Sequence, residues 1–154
     1  MAIDPRGAMA DPAKRFSIEG KSVIVTGASG AMGSEAARAL GAAGANVTLA
    51  GTNVAVLEEL CTLPELTGRS TIVARRPDEL ADAEAIVAGA VGAFGGIDGM
   101  LVASGMNKVG LITDQSVADW ESVMDANVKG SWLMAKAAAC LLYTSDAADD
   151  TPCV

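Results

Sequence analysis

The 154-residue sequence contains no histidine, and its aromatic residues make up 3% of the chain. Without histidine the chain can form neither a histidine-based catalytic triad nor most kinds of zinc site, so no metal site is expected. Because aromatic residues are so few, aliphatic and alanine side chains must form the core, which is typical of helices packed closely on a sheet. The three cysteines have no paired or metal-like spacing and indicate a reducing compartment, so we expect a cytoplasmic protein.

Two further features are absent: a block of basic residues and a long apolar run. The net charge is −8, and a protein that binds a nucleic-acid backbone would normally show a basic stripe, so no nucleic-acid partner is expected. No apolar run approaches the roughly 18 residues that span a bilayer, so no membrane partner is expected. Residues 1–15 lack the apolar segment of a signal peptide, and we predict that they form a disordered leader.

The most informative segment is Val23–Gly33, in which a short apolar run is followed by a glycine-rich turn and an alanine-rich helical pattern. A strand, a glycine turn and a helix in this order present main-chain N–H groups and a helix N-terminus to a phosphate. The alternative is an ordinary turn between a strand and a helix, because any such turn favours glycine.

The rest of the chain continues to alternate between strand and helix patterns. This alternation predicts an α/β fold of the Rossmann type, with a doubly wound parallel sheet in the order 3-2-1-4. The predicted strands are Ser22–Thr26, Asn46–Ala50, Ser70–Ala74 and Gly99–Ala103, and the predicted helices are Gly30–Ala43, Val54–Cys61, Asp78–Phe94, Ser116–Met124 and Val128–Ala139. Ser116 and Asp119 predict a capping box.

From Phe16 to Ala139 the chain resembles the short-chain dehydrogenase/reductase family. The resemblance rests on Glu19-Gly20-Lys21, Thr26–Gly33, Asp98–Gly105 and Asp125–Gly130. It implies a dinucleotide-binding domain over residues 16–139, truncated before the last strands of the family fold. It also implies a homo-oligomeric parent protein, in which Trp120, Met124, Trp132 and Met134 would belong to the core or to a subunit interface.

The resemblance assigns a cofactor site to Gly27, Ser29, Gly30, Met32, Gly33, Thr52, Asn53, Ala103, Ser104 and Gly105. Gly27 would permit the turn, Gly30 the approach of the pyrophosphate and Gly33 close packing of the helix. The family's commonest motif has glycine where this chain has Ala31, and Gly30 supplies a spacing found in the family's epimerase-like branch. Ala103-Ser104-Gly105 replaces the usual Asn-Asn-Ala-Gly and matches it well only at Gly105, so an ordinary strand end is the alternative.

The end of the second strand predicts the choice of cofactor. An acidic residue there would bind the ribose 2′-hydroxyl of NAD, but the chain has Ala50–Asn53 with no acid, which favours NADP slightly over NAD. Arg75 and Arg76 follow the third strand, where the family often has an aspartate near the adenine. They belong either to a solvated loop or to the binding site of an anionic cofactor.

Asn127 matches a family asparagine that helps to carry a water between the catalytic lysine and solvent; a surface asparagine is the alternative. The family's reaction also needs a serine and a Tyr-x-x-x-Lys pair. Tyr143 is the one tyrosine here, and Ala147 stands four residues after it. No lysine follows Lys136, so we expect the catalytic group to be absent and this chain to be inactive.

The segment Cys140–Asp150 looks like one reading frame of a transposase adapter used in sequencing libraries. We therefore predict that residues 140–154 are a non-native tail, the alternative being a natural acidic tail. Taken together, the resemblance implies an NAD(P)-dependent oxidoreductase that transfers hydride to or from a carbonyl or alcohol, present as a fragment. A non-catalytic dinucleotide-binding module, or an epimerase or dehydratase of the same family, remain the alternatives.

Overall fold

A computed structural model describes residues 16–143. The predicted leader, residues 1–15, and most of the predicted non-native tail lie outside the described residues. The strands are β1 (Ser22–Thr26), β2 (Asn46–Ala50), β3 (Ser70–Val73) and β4 (Gly99–Val102); the helices are α1 (Ala31–Ala42), α2 (Val54–Thr62), α3 (Leu80–Phe94), α4 (Val117–Met124) and α5 (Gly130–Tyr143), with a π-helical segment at Asp125–Lys129.

All four strands pair in parallel, in the order β3-β2-β1-β4. The register places Thr26 of β1 beside both Ala50 of β2 and Val102 of β4. The predicted α/β class and strand order are therefore confirmed. Because every strand runs in the same direction, the four segments that leave the strands emerge at one edge of the sheet, which we call the carboxyl edge.

Helices cover both faces of the sheet, because successive side chains of a strand point to opposite faces. On β1, Val25 packs in a cluster with residues of α1 and α2, whereas Ile24 packs with residues of α3 and α5. Both side chains are fully buried. Each cluster is aliphatic, as the composition predicts, and the sheet is doubly wound.

The elements agree closely with the sequence-based predictions, and the main difference lies near the end of the chain. Ser116 and Asp119 form the predicted capping box at the start of α4. The helical backbone then widens into the π-helical segment before α5 begins at Gly130. Such segments are rare and are often found at functional sites.

Among the described strands, β4 is an outer strand of the sheet and pairs with β1 alone. Its residue Leu101 is 40% exposed. The two tryptophans Trp120 and Trp132 are also largely exposed, at 60% and 58%. Met134, which was expected in the core or at a subunit interface, is fully buried in the cluster formed with residues of β1 and α3. Within residues 16–143, no helix combines the length and apolar character needed to cross a membrane.

Candidate functional site

A cleft of about 250 Å³ opens at the carboxyl edge of the sheet. Segments that follow all four strands line it, and no carboxylate is among the lining residues. They are Gly27, Ser29, Gly30, Gly51, Thr52, Arg75, Arg76, Ala103, Ser104 and Gly105. The structure therefore brings together seven of the ten predicted cofactor residues. In the described part of the chain, no group of acidic, cysteine or histidine residues could hold a metal ion.

Gly27 makes the turn out of β1 with a positive φ of 66°, a conformation that glycine adopts without strain. The turn is closed by the N–H of Gly30, which donates to the carbonyl of Gly27 at 2.9 Å. A Cβ on Gly27 would lie 2.6 Å from the nitrogen of Ser104 and 2.7 Å from the carbonyl oxygen of Ala103. Gly27 is thus required where two loops meet, in addition to the turn that the sequence predicts.

Gly30 has a different role, because it is the N-cap of α1 and its backbone is extended, with φ of −89° and ψ of 163°. A Cβ there would meet the carbonyl oxygen of Gly27 at 3.3 Å and no other atom within 4 Å. The first turn of α1 contains no acidic residue. The first N–H groups of a helix lack intrahelical partners and carry the positive end of the helix dipole. This end of the cleft is therefore suited to an anion.

The loop that follows β4 is fastened to the end of β1. The hydroxyl groups of Thr26 and Ser104 lie 2.9 Å apart and share a hydrogen bond. The N–H of Ala103 donates to the carbonyl of Thr26 at 3.1 Å. Because Thr26 is fully buried, these bonds position the loop from within the sheet. The sequence motif does not reveal this role of Thr26.

Asn127 lies in the π-helical segment and holds the next part of the same loop. Its Oδ1 accepts from the N–H of Met106, and its Nδ2 donates to the carbonyl of Met106, each at 2.9 Å. A Cβ on Gly105 would lie 2.6 Å from Oδ1 of Asn127, so a larger residue there would displace this amide. Asn127 is therefore a positioning residue for the loop that lines the cleft; its expected role with a water stays a prediction.

At the other end of the cleft, the segments that follow β2 and β3 contribute Thr52, Arg75 and Arg76. Nη1 of Arg75 pairs with Asp82 at 2.8 Å, and Nε of Arg76 pairs with Asp78 at 2.7 Å. The bond from Asp78 also raises the pKa of Arg76 above its usual value. Both aspartates thus act as ion-pair partners of the arginines.

Three of the predicted cofactor residues do not line the cleft. The side chain of Met32 is exposed on α1, and Asn53 caps α2, its Oδ1 accepting from the N–H of Val56 at 3.4 Å. A Cβ on Gly33 would overlap the main chain of Gly27 and Ala28, so Gly33 serves the packing of α1 against the turn. Whether these three residues contact a cofactor stays a prediction.

At the edge opposite the carboxyl edge, where the strands begin, two of the motifs that carried the resemblance contact each other: Glu19-Gly20-Lys21 and Asp98–Gly105. Nζ of Lys21 pairs with Oδ1 of Asp98 at 2.7 Å, and the N–H of Ser22 donates to Oδ2 of Asp98 at 2.9 Å. Chiefly because of the bond from Lys21, the pKa of Asp98 lies below its usual value. These residues tie the starts of β1 and β4 together and stand away from the cleft.

Comparisons with known proteins agree with this geometry. The sequence profile of the short chain dehydrogenase family matches residues 21–148. A Mycobacterium tuberculosis protein described as an uncharacterized oxidoreductase is 50% identical over 128 residues, which cover 83% of this chain and 47% of the relative. Nodulation protein G of Rhizobium sp. (strain N33) is 35% identical over 113 residues, 73% of this chain and 45% of that protein.

Among solved structures, this chain is similar to the short-chain dehydrogenase/reductase SDR:Glucose/ribitol dehydrogenase from Brucella melitensis. The TM-score is 0.77 with 29% identity, over 82% of this chain and 54% of that one. The chain thus spans about half the length of the relatives that it matches. The profile match, the two relatives and the parallel 3-2-1-4 sheet with its glycine turn agree, and the chain belongs to the short-chain dehydrogenase/reductase family.

Proposed function

We propose that this chain is the cofactor-binding portion of an NAD(P)-dependent oxidoreductase that transfers hydride to or from a carbonyl or alcohol. The observation that carries the proposal is the cleft at the carboxyl edge, where a glycine turn and the N-terminus of α1 meet without any carboxylate. In open α/β sheets, ligands bind outside the carboxyl ends of the strands, where the strand order reverses. Here that place lies between β1 and β4.

The residues present fit a dinucleotide. Gly30 leaves the cleft open where a side chain would project, and α1 directs its first N–H groups to the same end. Ser29 and Thr52 add hydroxyl groups, which donate and accept hydrogen bonds. The cleft therefore offers an anion site beside neutral polar groups, as a pyrophosphate linked to two sugars requires.

Each group of residues would contribute a separate task. The main chain around Gly30 would bind the pyrophosphate, Thr52 would face the adenosine ribose, and Ala103–Gly105 would form the wall beneath it. Asn127 would keep that wall in place through Met106. When bound, the nicotinamide supplies the hydride donor or acceptor. We assign no proton-transfer role to the residues of this chain.

A non-catalytic dinucleotide-binding module is the second candidate, favoured by the absence of a Tyr-x-x-x-Lys pair from the sequence. An epimerase or dehydratase of the family is the third, and the spacing of Gly27, Gly30 and Gly33 favours it. The sequence of the parent gene beyond Ala139 separates them. A serine with a Tyr-x-x-x-Lys pair supports the oxidoreductase, its absence supports the module, and a sugar-nucleotide pocket supports the third candidate.

The binding site itself is tested by placing a negative charge where the pyrophosphate is expected. In Gly30→Asp the new carboxylate stands at the N-cap of α1, a position that favours aspartate for helix stability. Gly30→Asn is the matched neutral control, because the two side chains have nearly the same shape and are both good N-caps. The difference in cofactor affinity between the two variants therefore reports the effect of the charge, separately from the size of the side chain and from the stability of the fold.

We expect the wild type to bind NADH or NADPH in a fluorescence titration, and Gly30→Asn to bind more weakly, because its side chain enters the space that Gly30 leaves open. Gly30→Asp should bind at least about tenfold more weakly than Gly30→Asn, roughly 1.4 kcal/mol, with an unchanged melting temperature. Equal affinities of the two variants would move the pyrophosphate away from α1. A wild-type chain that binds neither nucleotide at millimolar concentration would overturn the proposed function.

A further inference from the structure

Arg75 and Arg76 are the two charged residues among those that line the cleft, and the dinucleotide site as proposed does not use them. They follow β3, which is the neighbour of β2 in the sheet. The N–H of Gly51 donates to the carbonyl of Val73 at 3.3 Å, so the pairing of these strands extends one residue beyond β2. Thr52 and Arg75 therefore follow neighbouring strands at the carboxyl edge, and both line the cleft.

We propose that Arg75, assisted by Arg76, binds the 2′-phosphate of the adenosine ribose and makes this site selective for NADP over NAD. This inference rests on the proposed dinucleotide site. Selectivity for NAD normally depends on a carboxylate after the second strand, which binds the 2′-hydroxyl and repels a phosphate. This chain has Gly51-Thr52 there, and the nearest charged groups of the cleft are guanidinium groups.

The two ion pairs leave the guanidinium groups able to bind an anion. Arg75 is bonded to Asp82 through Nη1 and Arg76 to Asp78 through Nε, so each keeps further N–H donors. The arginine side chains are 54% and 53% exposed, and pairs in such surroundings exchange partners at little cost in free energy. Neither aspartate lines the cleft, which therefore presents positive charge alone to a ligand.

Arginine suits this task better than lysine, because its planar fork can donate two parallel hydrogen bonds to a phosphate. A 2′-phosphate is mostly dianionic at neutral pH, whereas the 2′-hydroxyl of NAD is uncharged. The difference between the cofactors thus falls where the arginines lie. Arg76 also borders a second cleft with Met106 and Lys129, so Arg75 is the better placed of the two for this role.

The test compares the dissociation constants of NADPH and NADH for the 154-residue chain and three variants. Arg75→Ala removes the proposed contact, Arg75→Lys keeps the charge without the fork, and Arg69→Ala is the control. Arg69 precedes β3 and therefore lies at the opposite edge of the sheet, yet its substitution changes the net charge equally. Adenosine 2′,5′-bisphosphate and 5′-AMP serve as a second pair of probes. They also differ by the 2′-phosphate alone, and they lack the nicotinamide.

We expect the wild type to prefer NADPH, and Arg75→Ala to weaken NADPH binding about tenfold or more while NADH affinity changes less than about twofold. Arg75→Lys should lie between the two, and Arg69→Ala should match the wild type. The preference for the bisphosphate over 5′-AMP should fall in parallel.

A wild type that prefers NADH, or an Arg75→Ala variant that weakens both cofactors equally, would overturn this inference and leave the proposed dinucleotide site standing. A wild type that binds neither cofactor would overturn both.

Discussion

The side chain of Asn127 binds both main-chain polar groups of Met106, accepting from its N–H and donating to its carbonyl at 2.9 Å each. Asn127 belongs to the π-helical segment and Met106 to the loop after β4, so the pair joins this segment to the loop that lines the cleft. A side-chain amide used in this way imitates the pairing of one strand with another.

Asn127→Ala should therefore loosen the loop at Ala103–Gly105. Two partly exposed hydrogen bonds are lost, and we expect the free energy of unfolding in urea to fall by about 1 kcal/mol. Cofactor affinity should fall with it, because the loop lines the cleft. Asn107→Ala, which removes an exposed amide from the same loop, is the control and should match the wild type. Unchanged stability and affinity in Asn127→Ala would show that the loop holds its position without this pair.

The carboxylate of Asp119 should titrate in strong acid. Nζ of Lys108 donates to Oδ1 of Asp119, and the hydroxyl and N–H of Ser116 donate to its Oδ2. These bonds, and chiefly the one from Lys108, lower the pKa of Asp119 from 3.8 to about 2. Because the folded-state pKa lies below the unfolded one, the stabilisation is complete above about pH 4 and is lost as the pH falls towards about 2.

An NMR titration of the side-chain carboxyl carbon of Asp119 measures this pKa directly. We expect a midpoint near 2 in the wild type and a clearly higher midpoint in Lys108→Met, since the largest cause has been removed. Lys136→Met, a substitution on α5, should leave the midpoint in place. A wild-type midpoint close to 3.8 would mean that Lys108 and Asp119 do not pair in solution.

The exposed edge of β4 should make the chain associate with itself. Among the described residues β4 pairs with β1 alone, Leu101 of this strand is 40% exposed, and a free strand edge presents main-chain groups that pair with another strand. We expect light scattering to find oligomers or aggregates, and Leu101→Lys to raise the monomeric fraction. Leu111→Lys adds the same charge in an exposed position outside the strand and is the control. A monomeric wild type that melts cooperatively would refute this expectation.

The fold was predictable because its periodicities are clear. Alternating apolar strands and alanine-rich helices mark β1 to β4, and Ser116 with Asp119 marks the start of α4. The glycine turn and the loop after β4 meet in one cleft because parallel strands end at the same edge. Seven of the ten predicted cofactor residues line that cleft.

The contacts that hold the site in place were not predictable, since they join residues far apart in the sequence. The motif indicates that Gly27 makes a turn, but the close approach of Ala103 and Ser104 appears only in three dimensions. Trp132 and Met134 received the same two alternatives, core or subunit interface, because helical spacing alone does not show which face of α5 packs on α3; Met134 is buried there and Trp132 is exposed. Arg75 was predicted with two alternatives, and only the strand order brings it to the same cleft as Thr52.

The 154-residue chain should oxidise neither NADPH nor NADH, whatever carbonyl compound is supplied. Its one tyrosine, Tyr143, has no lysine four residues later, so the chain lacks the pair that the family uses for proton transfer. Positioned acid–base catalysis contributes roughly 10²–10⁴-fold, so we expect no turnover without this pair. A panel of ketones, aldehydes and quinones, followed at 340 nm, should give rates equal to the buffer blank.

Fusion of residues 1–139 to the C-terminal half encoded by the parent gene should restore turnover, and Asn127→Ala should then lower it. The same fusion with the new tyrosine changed to phenylalanine is the matched control and should stay inactive. Turnover by the purified 154-residue chain would contradict the assignment of proton transfer to residues beyond Ala139, because the polar side chains that line the described cleft are hydroxyl and guanidinium groups.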